Sequence, residues 1–152
     1  MRIGVISDTH GLLRPEAAAA LAGCSHILHA GDVGSDTLLD ALRAIAPVTA
    51  IRGNVDHGGV CGKLPATETV ELSGNLFYMI HAREDIDLHP HAVGIAAVIF
   101  GHSHQPDISW ANGVLYFNPG SAGPRRFTLP VTIGILECGP NTLTPSIIPL
   151  IP

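Results

Sequence analysis

The sequence predicts a mixed α/β fold with two sheets, in which parallel strands come first and hairpins follow. Residues 2–54 alternate between short apolar runs typical of buried strands and segments with helical periodicity, which indicates parallel strands joined by crossover helices. Beyond residue 67, turn residues separate successive strand-like runs, as in hairpins. The chain has 152 residues, 46% hydrophobic and 14% charged, which suits a single domain (1–152) with a full apolar core.

Three strands and two helices are predicted in the first third of the chain. The strands are predicted at 2–7, 25–32 and 47–54, each rich in apolar or β-branched residues. In the first helix, Pro15 suits the first turn and Gly23 suits the stop. The second helix has Ser35 as candidate N-cap, followed by apolar residues at helical spacing: Leu38, Leu39, Leu42 and Ile45.

The remainder of the chain contains hairpins and one further buried strand. Turns at Ser73-Gly74-Asn75 and Asn112-Gly113 lie between strand-like runs, and residues 96–101 form an uninterrupted apolar run. Residues 83–94 are interpreted as a helix that Pro90 weakens. Two closing strands are predicted at 130–138 and 144–151.

Charge and cysteine content limit the partners and the compartment. The net charge is −5, the single lysine is Lys63, and the arginines are scattered, so no clustered basic face for nucleic acid is expected. The three cysteines contain no Cys-x-x-Cys pair and are interpreted as free, buried thiols in a reducing compartment. No apolar run approaches the roughly 20 residues of a membrane helix, and a cytoplasmic location is expected.

Polar side chains follow several predicted strands at the point where each strand ends. Taken singly, an aspartate there is more often a turn or cap residue, and a lone histidine more often an ordinary half-buried side chain. If the strands are neighbours, however, their carboxyl ends bring these side chains to one edge of the sheet. A metal site explains the complete set better than caps and turns do: Asp8, His10, Asp32, Asn54, His81, His102 and His104.

The ligand types indicate the kind of metal. Without thiolates, a cysteine-type structural zinc site is excluded, while imidazoles mixed with carboxylates suit Mn, Fe, Co, Ni or Zn. Seven ligands are too many for one such ion and about right for two, and two ions roughly 3.5–4 Å apart are the arrangement that clamps a phosphoryl group during transfer. Two adjacent cations need a bridging anion, for which Asp32 is the natural carboxylate.

These residues, in this order and over nearly the whole chain, resemble the calcineurin-like metallophosphoesterases. More narrowly, the chain is similar to the small single-domain branch of prokaryotic phosphodiesterases typified by the YfcE-like proteins. The resemblance implies a four-layer α/β/β/α sandwich of two mixed β-sheets flanked by helices. It rests on "DTH" at 8–10, "GD" at 31–32, "GNVD" at 53–56, His81, "GHSH" at 101–104 and "NPGSAGPRR" at 118–126.

The resemblance also implies how the ligands are divided. One metal is held by Asp8, His10, Asp32 and His104, and the other by Asp32, Asn54, His81 and His102. Two divalent ions are implied, with manganese favoured and iron, nickel, cobalt or zinc as alternatives. The implied reaction is attack of a metal-bridging hydroxide on a phosphoester, with Asp32 as the bridge and Asn54 stabilising charge on the phosphoryl oxygens. Asp56 would orient a ligand or a backbone amide.

The chain departs from the wider family in two places. Val55 stands where many members have a histidine that protonates the leaving group, so a good leaving group or another acid is needed. After His81 the usual Gly-His is replaced by Ala82 and Arg83. Ala82 requires a negative φ, and Arg83 either meets a phosphate or lies in solvent. Arg125 either reaches the phosphate or forms an ion pair.

Three functions are compatible with this fold and its ligand positions. A phosphodiesterase or phosphatase acting on small phosphoesters or cyclic nucleotides is preferred, because all seven ligand positions are filled. The alternatives are a non-catalytic protein-binding scaffold on the same fold and a one-metal binding protein. The family branch implies homo-oligomers, dimers or higher. Alternation along an extended chain predicts that His102 and His104 face the same side.

Overall fold

The computed structural model describes residues 1–152 and confirms the predicted mixed α/β fold. Short 3-10 turns cover Cys61–Lys63, Arg83–Asp85 and His91–Val93. The regular elements, in chain order, are β1 (Arg2–Ile6), α1 (Pro15–Leu21), β2 (His26–His29), α2 (Asp36–Arg43), β3 (Val48–Ala50), β4 (Thr67–Leu72), β5 (Asn75–Ile80), β6 (Ala97–Ile99), β7 (Asp107–Ala111), β8 (Val114–Asn118), β9 (Thr132–Cys138) and β10 (Leu143–Pro149).

The strands form two five-stranded mixed sheets. The first has the order β10-β9-β1-β2-β3, with β1, β2 and β3 parallel and β9 and β10 antiparallel. The second has the order β4-β5-β6-β8-β7, with β5, β6 and β8 parallel and an antiparallel strand at each edge. Each sheet therefore has three adjacent parallel strands, whose carboxyl ends are available to build a site.

Both predicted hairpins close through two-residue turns. Ser73 and Gly74 have φ of 53° and 79°, and Asn112 and Gly113 have φ of 52° and 77°. Positive φ at both central residues is typical of type I′ turns, which match the twist of the strands they join. Asn75 is the first residue of β5 rather than part of the turn.

One core lies between the two sheets, and another lies under the helices. Alternate residues of β1 serve the two cores: Ile3 and Val5 pack toward the second sheet, where Phe77 and Phe117 lie, and Ile6 packs toward α1 and α2. Ser35 caps α2 as predicted, its hydroxyl accepting the Leu38 N–H at 3.3 Å. The three cysteines are free and buried, as predicted.

The outer face of the second sheet is covered by residues 83–95. Ile86, Leu88 and Ile95 pack there against strand residues such as Tyr78 and Val98. Two 3-10 turns stand where the sequence suggested a helix, since Pro90 lacks the N–H that a continuous helix would use. The sandwich therefore has its α-helices on one side only. Neither α-helix has the length and apolar character needed to span a membrane.

Candidate metal centre

The side chains predicted at the strand ends meet at one edge of the molecule, between the loops of both sheets. Asp8 and Asp32 follow β1 and β2, and His81 follows β5. Backbone hydrogen bonds fix these loops to one another: the Asp8 N–H donates to Gly31 at 3.0 Å, and the Gly101 N–H donates to His81 at 2.9 Å. The carboxyl ends of the parallel strands thus build one cluster from two sheets.

Two groups of three ligand atoms, each within 4.8 Å of one another, form the centre of this cluster: Asp8, His10 and His104, and Asp8, Asp32 and His81. His104 Nε2 lies 3.5 Å from Asp8 Oδ1 and 3.4 Å from His10 Nε2. His81 Nε2 lies 3.3 Å from Asp32 Oδ2 and 3.7 Å from Asp8 Oδ1. Asp32 Oδ2 is also 3.7 Å from His10 Nε2, so both carboxylates span the two groups.

Asp8 supplies the clearest sign that a cation fits here. Its Oδ2 accepts hydrogen bonds from the Ser7 hydroxyl at 2.7 Å and the His102 N–H at 3.1 Å. Its Oδ1 is buried and has no hydrogen-bond partner. Burial raises the pKa of Asp8, and the charge of His81 offsets this only in part. A cation bound to Oδ1 would compensate a buried charge that is otherwise costly.

The Asn54 amide and Nε2 of His81 face the same point beside Asp32. The inner atom of the Asn54 amide lies 3.1 Å from Asp32 Oδ2 and 3.2 Å from His81 Nε2. If this atom is the oxygen it faces only acceptors, an arrangement that a bound cation makes favourable and that turning the amide over would otherwise relieve. His81 donates from Nδ1 to the Ala30 carbonyl at 2.7 Å, which leaves Nε2 as the ligating nitrogen.

Asp32 is held in its ionised form. Burial disfavours the charged carboxylate, but hydrogen bonds from His81 and from the Val55 N–H, together with the charges of His81 and His10, lower the pKa of Asp32 to about 2. The Val55 N–H donates to Oδ1 at 3.1 Å, which leaves Oδ2 facing the histidines. An ionised carboxylate is the form that binds a metal ion.

His102 lies at the rim of the cluster, outside both groups. It is exposed, and its ring packs edge-on against His81 with centroids 5.2 Å apart. The expected alternation along an extended chain is wrong for this segment, because β6 ends at Ile99 and both His102 and His104 have positive φ, 73° and 63°. The two histidines approach the cluster through a tight loop rather than along a strand.

Backbone strain is concentrated at the ligands. Of the eight non-glycine residues with positive φ, five are predicted ligands: Asp8, His10, Asp32, His102 and His104. A non-glycine residue in this region costs about 1–3 kcal/mol and persists only where its surroundings enforce it. The loops therefore hold the ligands in place at an energetic cost, as is common at functional sites.

Asp56 lies directly behind the cluster. Its carboxylate accepts the backbone N–H groups of Val33 at 3.1 Å, Gly34 at 3.0 Å and Gly53 at 2.9 Å. These bonds tie the loop after β2, which carries Asp32, to the loop after β3, which carries Asn54.

The two arginines that the sequence suggested as phosphate contacts each have a partner within the protein. Arg83 packs over the Tyr116 ring at 4.2 Å and lies 3.8 Å from Asp107, on the second sheet. Arg125 donates to the Pro152 carbonyl at 2.7 Å. Arg83 also lines a cleft of about 420 Å³ that it shares with His102, whereas Arg125 lines no cleft of the structure. Ala82 has φ −113°, so glycine is not required there.

The end of β8 and the segment after it contribute more than the sequence indicated. Asn118 donates to the Gly101 carbonyl and the Ser103 hydroxyl, each at 3.1 Å, and so braces the loop that carries His102 and His104. The Ser121 hydroxyl donates to the Asp8 carbonyl at 2.9 Å. In the sequence, the feature that could have indicated these two residues is their position at or just after the end of a predicted strand. Their hydrogen-bond partners lie in loops far away in sequence and could not be predicted.

His29 is a structural histidine beneath the cluster rather than a ligand. It is fully buried and accepts the Gly31 N–H at Nδ1, while Nε2 contacts the Thr9 hydroxyl at 2.9 Å. Thr9 in turn donates to the Val33 carbonyl. Because Nδ1 is an acceptor, Nε2 carries the proton and the ring is neutral.

We expect His29 to make the metal-free protein less stable in acid. Burial lowers the pKa of His29 from 6.5 to about 4. Unfolded chains therefore take up this proton near pH 6.5 and folded chains only near pH 4, so stability falls as the pH drops through that window, by up to about 3 kcal/mol. Urea unfolding in chelator at pH 7 and pH 4.5 measures the loss. His29→Gln should reduce it, and an equal loss in both proteins would contradict this assignment.

Comparison with known sequences gives a consistent picture. Residues 1–141 match the model of the calcineurin-like phosphoesterase superfamily domain. A probable metallophosphoesterase of Methanocaldococcus jannaschii is 34% identical over 142 residues, which cover 85% of this chain and 72% of that protein. A second one, from Methanothermobacter thermautotrophicus, is 35% identical over 147 residues, which cover 86% of this chain and 82% of that protein.

Solved structures with the same fold belong to proteins of different kinds. An archaeal phosphodiesterase superposes with TM-score 0.75 at 24% identity, covering 97% of this chain and all of that one. The phosphoesterase YfcE of E. coli gives 0.67 at 20%, covering 99% and 100%. Vps29 of Entamoeba histolytica complexed with zinc gives 0.75 at 20%, also covering 99% and 100%. At these identities the likeness establishes the fold alone.

Proposed function

The chain belongs to the calcineurin-like phosphoesterase superfamily, and from this premise we propose that it is a dimetal phosphodiesterase acting on small phosphoesters. The observation that carries the proposal is the pair of ligand groups that share the buried carboxylate of Asp8. Imidazole and carboxylate atoms at this spacing suit borderline divalent ions, with manganese expected first.

The proposal divides the ligands between two ions. Asp8, His10, Asp32 and His104 would hold one ion, and Asp32, Asn54, His81 and His102 the other. When bound, two divalent ions supply an activated water and positive charge for the phosphoryl oxygens. Asp8 and Asp32 provide the negative charge that holds the ions together. Asn54 is exposed at the rim, where its amide can turn toward a phosphoryl oxygen.

A cleft next to the cluster offers room for one arm of the ester. It has a volume of about 480 Å³ and opens beside Asn54, His81 and His102. The side chains of Glu84, Asp85, Asp87, Thr67, Tyr78 and Arg52 also line it. Three carboxylates disfavour a second anionic group, so this cleft supports a diester with an uncharged or cationic arm over a polyphosphate.

Val55 determines which leaving groups the enzyme can expel, because it stands where an acid could protonate them. It is exposed beside Asn54 and has no proton to donate. The adjoining cleft offers three carboxyl groups that could serve as the acid instead. Without a dedicated histidine, the enzyme should act fastest on esters whose alcohol leaves readily as an anion.

The purified protein is expected to hydrolyse bis(4-nitrophenyl) phosphate when Mn²⁺ is added, and His102→Ala should lower the rate by about 10- to 100-fold. Release of 4-nitrophenolate measures the reaction. His89→Ala removes an exposed histidine that the cluster does not use and serves as the control. Full activity in His102→Ala, or none in the wild type across Mn, Fe, Co, Ni and Zn, would overturn the proposal.

A non-catalytic protein-binding scaffold on the same fold is the alternative, since Vps29 shares the architecture. The complete ligand set favours the enzyme, because a scaffold has no need of every ligand. Two bound ions per chain without hydrolysis of any phosphoester would favour the scaffold, and a single ion would favour a metal-binding protein. A cytoplasmic setting and a homo-oligomer stay predictions.

A further inference from the structure

A second cleft, the polar cleft, is lined by Arg83, Gln105 and His102 among others and has a volume of about 420 Å³. His102 and Glu84 also line the first cleft, that of about 480 Å³, so the two clefts meet at these residues. The ring of His102 packs against that of His81, which belongs to the metal centre. A phosphodiester bound at the metal centre can therefore place one arm in each cleft.

Hydrogen bonds hold one wall of the polar cleft in place. Asn118 donates to the Gly101 carbonyl and to the Ser103 hydroxyl, each at 3.1 Å, and the Gln105 N–H donates to the same hydroxyl at 3.2 Å. All four of these residues line the cleft. A wall that is already ordered loses little conformational entropy when a ligand binds, so this cleft is preorganised.

Arg83 is held in the polar cleft mainly by stacking. Its guanidinium carbon lies 4.2 Å from the centroid of the Tyr116 ring and 5.7 Å from that of Phe100. The N–H groups of a guanidinium lie in its plane, so stacking on a ring does not occupy them. Their contacts within the protein are long, 3.5 Å to the Ser109 hydroxyl and 3.8 Å to Asp107 Oδ2. Arg83 therefore keeps donors that can serve a ligand.

The other side chains of the polar cleft favour a neutral ligand with several hydroxyl groups. Phe100 is the one large apolar side chain in the lining, which disfavours an apolar ligand. The carboxylates of Glu84 and Asp107 oppose an anion, and the guanidinium of Arg83 opposes a cation. Glu84 and Gln105 are exposed, and their side chains make no hydrogen bond within the protein. A hydroxyl group can accept from a guanidinium or amide and donate to a carboxylate, so it suits this mixture of donors and acceptors.

We propose that the polar cleft binds one arm of the diester and that this arm is a neutral group rich in hydroxyls, a polyol or a sugar. Arg83 and Gln105 are the specificity-determining residues, donating hydrogen bonds to hydroxyl oxygens of this arm. The inference rests on the proposed function and names its substrate class. The substrate is an unsymmetrical diester, with a hydroxyl-rich arm in the polar cleft and an uncharged or cationic arm in the first cleft.

Glycerol 3-phosphate and propyl phosphate differ only in two hydroxyl groups and serve as probes of the polar cleft. In the Mn²⁺-loaded protein, glycerol 3-phosphate is expected to inhibit the hydrolysis of bis(4-nitrophenyl) phosphate at about tenfold lower concentration than propyl phosphate. Arg83→Ala and Gln105→Ala should each reduce this preference by about threefold or more, because each removes a donor to the hydroxyls. Gln105→Ala leaves the stacking of Arg83 on Tyr116 in place, so it tests the cleft even if Arg83→Ala does not fold.

Arg43→Ala is the matched control, because Arg43 is also an arginine in an exposed ion pair, with 47% of its side chain exposed against 44% for Arg83. It lines neither cleft and should keep the full preference. Calorimetric titration of both probes into the metal-loaded proteins gives the same comparison without turnover. Equal affinity of the two probes in the wild type, or a preference that both cleft variants retain, would overturn the inference and leave the proposed function intact. If the wild type hydrolyses nothing, the proposed function fails, and the titrations alone decide the role of the polar cleft.

Discussion

Asp32→Asn is expected to lower hydrolysis by about 1,000-fold or more and to empty both metal positions. The carboxylate spans the two ligand groups, lying 3.7 Å from His10 Nε2 and 3.3 Å from His81 Nε2. The amide has nearly the same shape but no charge, so the ions lose several kcal/mol of stabilisation, and each 1.4 kcal/mol or so is a factor of ten in rate. Elemental analysis of the purified variant and the 4-nitrophenolate assay measure both effects.

The matched control is Asp40→Asn, the same change at an exposed helical position. It should keep the metal content and rate of the wild type. Asp8→Asn sharpens the result, because the Asp8 carboxylate is common to both groups in the structure, whereas the family resemblance makes Asp32 the bridge. If Asp8→Asn loses two ions and Asp32→Asn only one, the bridging role belongs to Asp8.

Gly53→Ala is expected to destabilise the protein by about 1–3 kcal/mol and to weaken metal binding, although it removes no ligand. A Cβ at residue 53 would overlap Asp32 Oδ1 and the Asp32 backbone nitrogen. The loop after β3 packs on the Asp32 carboxylate, so either the loop or Asp32 must move. The urea midpoint and the metal content after dialysis measure the two consequences.

Gly58→Ala provides the comparison within the same loop. A Cβ there meets no atom within 4 Å, so stability should change by no more than about 0.5 kcal/mol and metal content should stay constant. If both variants unfold at the same urea concentration and retain their metal, the close packing of Gly53 on Asp32 has no functional consequence.

The sequence predicted the strands, the hairpins and the polar residues at the strand ends, because each of these depends on local patterns. Periodicity and turn residues specify β1 to β3 and the Asn112-Gly113 hairpin, and an aspartate directly after a strand is visible without knowledge of the neighbours. Local patterns do not predict which groups a side chain in a loop will contact in the folded chain. Arg125 and Arg126 are equivalent in sequence, and only the position of Pro152 distinguishes them.

Two other differences have the same origin. Nothing local distinguishes a histidine that continues a strand from one in a left-handed turn, so the conformation of His102 and His104 depended on contacts with Asp8 and Asn118. Residues 83–95 contain apolar positions that fit a helix, but Pro90 interrupts them and the second sheet is covered by 3-10 turns instead.

Because the ligands come from both sheets, the complete metal centre exists only when the two sheets have docked. His10 and His104 meet across 94 residues of sequence, and so do Asp8 and the His102 N–H. Contacts of such high sequence separation require that a long loop be closed first. A chain with only its first sheet assembled would carry Asp8, His10, Asp32 and Asn54 but none of the three histidines of the other sheet. Full metal affinity would therefore report that the two sheets have docked, and bound ions would stabilise that docked state by mass action.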